Sequence, residues 1–479
     1  MMKLSLSKYA HDSLSDQMYQ QIGDRIRSNL MKHGDRLPSI RAFSTMQGVS
    51  PLTVQKAYKK LEKAGLVQSI QGKGVFVTNQ RIEESIPNEY DWQSSIPTYL
   101  SRSSFHTRTK TKYPFDHSVL DSGLLPTMYL ADQLRQMLED ESSILGTYGE
   151  IPGDFLTRKS FCDYFQTHLE LSANPDDLII TPGLHQGIDI IARALVRAGD
   201  VVVTEAPTYP GSLDIFMNYG AKVTPIPMDE EGMRIDLLSK IAKTYSPKLI
   251  YLNPTFQNPT GCTITTKRRK DILRQAQMHG MIIIEDDSWS EIYFEDKKPP
   301  KPIKAFDDDG RVIFLKGFSK AFAPGIRIGA MYANGPLREV LLTSKATADL
   351  GTPLLIQRAI LPFLNSKRMH DHLEKIRLAL ELRRDKVLTL FQESFDSSIT
   401  WTKPEGGLNL WVTLPETASA IDLYHLCVKE NLSFLPGHVC FPHAAPNHQL
   451  RICYSILNEK ELEEGIQKFI VLTKRFLKE

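Results

Sequence analysis

The chain has 479 residues, 41% hydrophobic and 24% charged, which is too long for one core and ordinary for a globular protein of two or more domains. No run of eighteen apolar residues occurs and the first thirty residues lack a signal-peptide core, so no membrane association is expected. Five scattered cysteines without a CxxC pair argue against a disulfide framework or a metal site, and fit a cytoplasmic location.

Charge is unevenly placed. Residues 1–80 carry twelve Lys or Arg against five Asp or Glu, a net +7, while the remaining 399 residues carry a net −5. A small basic domain on a slightly acidic large one suggests that only the first meets a polyanion.

In 15–32, Met18, Ile22, Ile26 and Leu30 lie four apart and predict a helix with one apolar stripe, stopped by Gly34. Ser39 caps a short second helix to about Met46, and Gly48-Val49 makes a tight turn. Ser50 then caps a third helix with Pro51 at its first position. Val54, Ala57, Tyr58 and Leu61 form its buried face, leaving Thr53, Gln55, Lys56, Lys59 and Lys60 outside. After Gly65, LVQSI and VFVT read as two strands joined by a Gly72-Lys73-Gly74 tip. The sum is a winged helix-turn-helix over 1–78. Residues 79–112 show no sustained period and are expected to be a linker.

From 113 to 479, short apolar runs alternate with helical patterns, as in α/β domains built on a mainly parallel sheet. The runs are 178–180, 201–203, 249–252, 281–284 and 312–315. Each is followed at once by polar residues, where ligands of such sheets bind: TPGLHQG, TEAPTYP, NPTFQNPTG, EDDSW and KGFSKAFAPGIR.

Residues 35–77, with LPSIR, GVSPLTV, YKKLEKAGLV and GKGVFV, resemble the DNA-binding domain of GntR-type regulators. The resemblance implies a double-stranded DNA operator faced by Arg41, Ser50, Thr53, Gln55 and Lys56, with Lys73 in the wing. Pro51 departs from the family pattern, which often has Arg there and so gains a guanine-reading fork.

The large domain resembles fold-type-I pyridoxal-phosphate enzymes of the class I aminotransferase type. That resemblance implies that Lys320 of GFSK forms a Schiff base with the cofactor aldehyde and that Arg327 binds its phosphate. It also implies that Ser319 and the helix start at Gly183, Leu184 and His185 add phosphate contacts, and that Asp286 keeps the ring nitrogen protonated. Asn258 would bond the ring oxygen, Tyr209 would stack on the ring, and Arg451 would take a ligand carboxylate. Two departures stand out. A hydroxyl residue three positions before the lysine is replaced by Gly317, and a tyrosine after EDD is replaced by Ser288 or Trp289.

Together the halves resemble the MocR subfamily of GntR regulators. This implies a head-to-tail homodimer that senses an amino acid or other amine through the Lys320 Schiff base. The alternative is an active class I aminotransferase acting on an amino acid, in which Lys320 and Asp286 are catalytic and the thinned site turns over slowly.

Overall fold

The computed structural model describes residues 12–27, 30–78, 110–320, 322–443 and 445–478, together with Leu4 and Leu6. The expected linker lies outside these residues except for 110–112. The chain divides into two compact units, Met1–Ser101 and Arg102–Glu479.

In the first unit, α1 (Leu14–Arg27), α2 (Ile40–Gln47) and α3 (Pro51–Lys63) precede a hairpin of β1 (Val67–Ile70) and β2 (Gly74–Val77). Met18, Ile22, Phe43, Val54, Ala57 and Leu61 are fully buried in one cluster. Gly48 takes the left-handed φ of 64° that the turn between α2 and α3 requires. Ser39 and Ser50 cap α2 and α3 by accepting the N–H of Ala42 and Thr53, at 3.2 Å each. The expected first helix ran too far: α1 ends at Arg27, and Leu30 is 76% exposed. The chain has left the helix by then, with Met31 N–H bonding Arg25 O and Asp35 holding Lys32 N–H.

In the second unit β3 (Tyr113–Pro114) leads to a large sheet. Its strands are β4 (Leu178–Thr181), β5 (Val201–Ala206), β6 (Lys222–Asp229), β7 (Gly232–Met233), β8 (Leu249–Leu252), β9 (Ile282–Asp287), β10 (Val312–Gly317) and β11 (Gly329–Tyr332). The order is β4-β11-β10-β9-β8-β5-β6-β7, with β11 antiparallel to both neighbours and β7 antiparallel to β6. Strands β4, β8 and β10 are buried along their whole length, which is why they read as unbroken apolar runs rather than as alternation. β4, β5, β8, β9 and β10 run the same way, so the polar segments after them meet at one edge.

Towards the C-terminus, β12 (Thr400–Trp401), β13 (Asn409–Thr413), β15 (Leu435–Pro436) and β16 (Gln449–Cys453) form an antiparallel sheet in the order β12-β13-β16-β15. Strand β14 (Leu432–Ser433) pairs instead with β3. The middle strand β16 carries Arg451. Among the described residues no helix is long and apolar enough to cross a membrane.

Candidate functional site

A cavity of about 420 Å³ opens at the edge where the polar segments meet. Leu184, His185, Tyr209, Asn258, Asp286, Ser288, Lys320 and Arg451, all singled out from sequence, line it. Gly183, Ser319 and Arg327 are not part of its wall.

β9 alternates, so its three carboxylates part company. Glu285 accepts the N–H groups of Ile303 and Lys304, and Asp287 caps Ser290 and pairs with Lys316 at 3.2 Å. Asp286 alone lines the cavity. Its Oδ2 accepts Tyr251 OH at 2.6 Å and its Oδ1 accepts Ser288 Oγ at 3.1 Å. Burial raises its pKa to about 6, with both hydrogen bonds pulling the other way. A buried carboxylate met by neutral donors suits a cationic ring nitrogen.

KGFSK holds two lysines with different fates. Lys316 is fully buried and paired with Glu291 at 2.7 Å and with Asp287. Lys320 reaches the cavity, where its Nζ donates to the carbonyl of Ser118. Desolvation pushes its pKa down to about 8, so a free amine is accessible near neutral pH.

Asn258 donates its backbone N–H to Asn253 Oδ1 at 2.7 Å and accepts Arg451 Nη1 at 2.9 Å. Arg451 is 4% exposed; its Nη2 donates to Asp116 O at 2.5 Å, and its buried Nε has no partner among the described residues. Tyr209 meets His185 edge-on, with ring centroids 6.4 Å apart. Desolvation lowers the pKa of His185, which favours the neutral ring.

Gly183, at φ 91°, precedes the helix Leu184–Leu195. The positive φ favours glycine there, and a Cβ on Gly183 would lie 2.8 Å from Arg327 Nη2 and push the guanidinium away from that helix start. Arg327 itself has a left-handed φ of 47°, a strained conformation for a non-glycine residue. It is exposed and donates to Pro182 O at 3.0 Å. Exposed guanidinium and free helix N–H groups side by side fit a phosphate. Ser319 makes no hydrogen bond among the described residues.

Both departures have a physical reason. A Cβ on Gly317 would approach Leu184 Cδ1 to 2.8 Å, so Leu184 fills the space a hydroxyl residue would need. Trp289 is buried and gives its indole N–H to Phe256 O at 2.8 Å, and both it and Ser288 line the cavity. Sequence reading passed over Tyr251, Asn253 and Asp116. Asn253 bridges Asp286 O at 2.5 Å and the N–H of Asn258, and it opens a motif already quoted.

In the first unit Arg41, Gln55, Lys56 and Lys73 are exposed. None of the three cations has an acidic partner among the described residues. Ser50 and Thr53 bond each other through their hydroxyls at 2.8 Å.

The sheet order with a lysine, an aspartate and an arginine at its edge defines a fold-type-I, pyridoxal-phosphate-binding unit. The chain belongs to the family of aminotransferases class I and II, whose profile matches residues 118–469. That of bacterial regulatory proteins, gntR family, matches residues 14–77. An aromatic-amino-acid aminotransferase of Thermococcus litoralis is 32% identical over 74% of this chain and 86% of its own. A Bacillus subtilis protein named an HTH-type transcriptional regulator is 28% identical over 99% of this chain and 100% of its own. The α-aminoadipate aminotransferase of Thermus thermophilus, solved with N-(5'-phosphopyridoxyl)-L-leucine, superposes with a TM-score of 0.75 at 26% identity, covering 81% of this chain and 99% of its own.

Proposed function

We propose that the chain is a pyridoxal-phosphate-dependent transcription regulator, acting as a head-to-tail homodimer on double-stranded DNA and responding to an amino acid. The observation that carries this reading is the end-to-end likeness to a regulator-named protein, which pairs both units in one chain. Bound at the cavity, the cofactor supplies an aldehyde that takes up amines. Lys320 holds it at rest, Arg327 and the helix start at Gly183, Leu184 and His185 hold its phosphate, and Asp286 its ring nitrogen. Asn258 and Tyr209 orient the ring, and Arg451 takes the carboxylate of the incoming ligand. The signal passes only if this ligand binds two conformations of the chain unequally.

The test is binding of the full chain to the DNA upstream of its own gene across a salt series. Affinity should fall steeply, by about 0.9 log unit per neutralised phosphate for each log unit of salt. Arg41→Ala and Lys73→Ala should each weaken binding and flatten that slope. An unchanged slope in both variants would remove them from the interface.

Turnover should be slow. With Trp289 giving its indole N–H to Phe256 O and no phenol at positions 288 and 289 to help position it, Lys320 would be a less well aimed base, and misplacement by about 1 Å would cost roughly a hundredfold. Conversion of an amino acid within seconds, repeated with a keto-acid acceptor, would instead favour a working aminotransferase.

A further inference from the structure

The outward face of α3 carries a residue that the charge argument does not use. Leu52 is 59% exposed, while Val54, two residues on, is fully buried. A lone exposed leucine is ordinary. This one heads a stripe with exposed Gln55, Lys56 and Lys59, at spacings of three, four and seven, and residues 51–59 contain no acid. The opposite face packs Val54, Ala57, Tyr58 and Leu61 into the core, so the stripe is what α3 offers outward. At its head Pro51 brings no donor, and the hydroxyls of Ser50 and Thr53 bond each other. Leu52 is the large exposed apolar side chain at the head of this stripe.

Resting on the DNA-binding reading, we propose that Leu52 packs on the C5 methyl of a thymine in the major groove. The basic stripe and the net +7 of residues 1–80 suit this face to a polyanion. In that groove the apolar feature of the base edges is the thymine methyl, and an amide such as Gln55 suits adenine. Leu52 and Gln55 are separated by about 4.5 Å of helix rise, against about 3.4 Å between stacked base pairs. They read adjacent A·T pairs, a specificity distinct from the guanine fork lost at Pro51.

The experiment binds the full chain to its protected upstream DNA, with each thymine replaced in turn by deoxyuridine, which removes only the methyl. At one position the replacement should weaken binding about fourfold, the effect of burying one methyl. Leu52→Ala should bind thymine DNA about as weakly as wild type binds that uracil DNA, and should no longer distinguish the two. Leu52→Met, which restores apolar reach, should recover the distinction. Indifference of the wild type to every replacement, or a Leu52→Ala variant that keeps the methyl preference, overturns the proposal while leaving DNA binding intact. Failure of the wild type to bind any upstream DNA overturns the DNA-binding reading and this inference with it.

Discussion

Lys320→Ala should abolish covalent attachment of pyridoxal phosphate and leave a folded protein without the visible absorbance of the cofactor adduct. The loss is all-or-none because Lys316, the other lysine of the motif, is buried between Glu291 and Asp287 and faces away from the cavity. The variant should fold, since among the described residues the Lys320 side chain gives the structure one hydrogen bond, to the carbonyl of Ser118. The same residue sets a pH dependence. Only the neutral amine attacks an aldehyde, and desolvation brings the pKa from 10.5 to about 8. Cofactor uptake by the cofactor-free protein should therefore rise about tenfold per pH unit below 8 and level off above it. An unshifted lysine would go on rising beyond pH 10. Absorbance and borohydride reduction read both results. A reducible adduct that persists in Lys320→Ala would move the attachment point elsewhere.

The central strands were legible because burial on both faces leaves an unbroken apolar run. β11 was not, since Gly329–Tyr332 is a four-residue antiparallel insertion, and one of its partners, β4, lies about 150 residues earlier in the chain. β6 was hidden by two prolines, Pro225 and Pro227, in a strand with mixed burial. In the first helix, periodicity counted Leu30 as core, although the hydrogen bonds at Met31 and Lys32 had already turned the chain away. Period could name its face but not its end.

The cavity residues were legible as polar motifs following strands, because a parallel sheet gathers such segments at one edge. What joins them was not. Asn258 and Asp116 meet Arg451 across 193 and 335 residues of chain, and no local pattern encodes such contacts. The thinning of the site was visible as Gly317 and Trp289, but its cause needed three dimensions. Leu184 fills the space beside Gly317, and Trp289 is tied to Phe256. In the first unit, Ser50 and Thr53 were legible as candidates to face DNA, while the hydrogen bond between their hydroxyls in the cap of α3 was not.

Arg451 should make the ligand carboxylate indispensable. Its guanidinium is buried, with Nη1 given to Asn258 and Nη2 to Asp116 O, and Nε without a partner among the described residues. Both acceptors are neutral, so the charge itself is uncompensated by these contacts, and an incoming carboxylate would supply the missing anion. An amino acid should therefore bind more tightly than its decarboxylated amine by about 2–5 kcal/mol, roughly thirtyfold to several thousandfold. Arg451→Met keeps the apolar stem and removes the charge. It should weaken the amino acid strongly and the amine little, closing most of the gap. Spectral titration of cofactor-loaded protein with matched pairs, in wild type and variant, measures all four affinities. Equal affinity for the two ligands in the wild type would mean that Arg451 serves only to tie Asn258 to Asp116. A gap that survives in Arg451→Met would place carboxylate recognition on another group of the cavity.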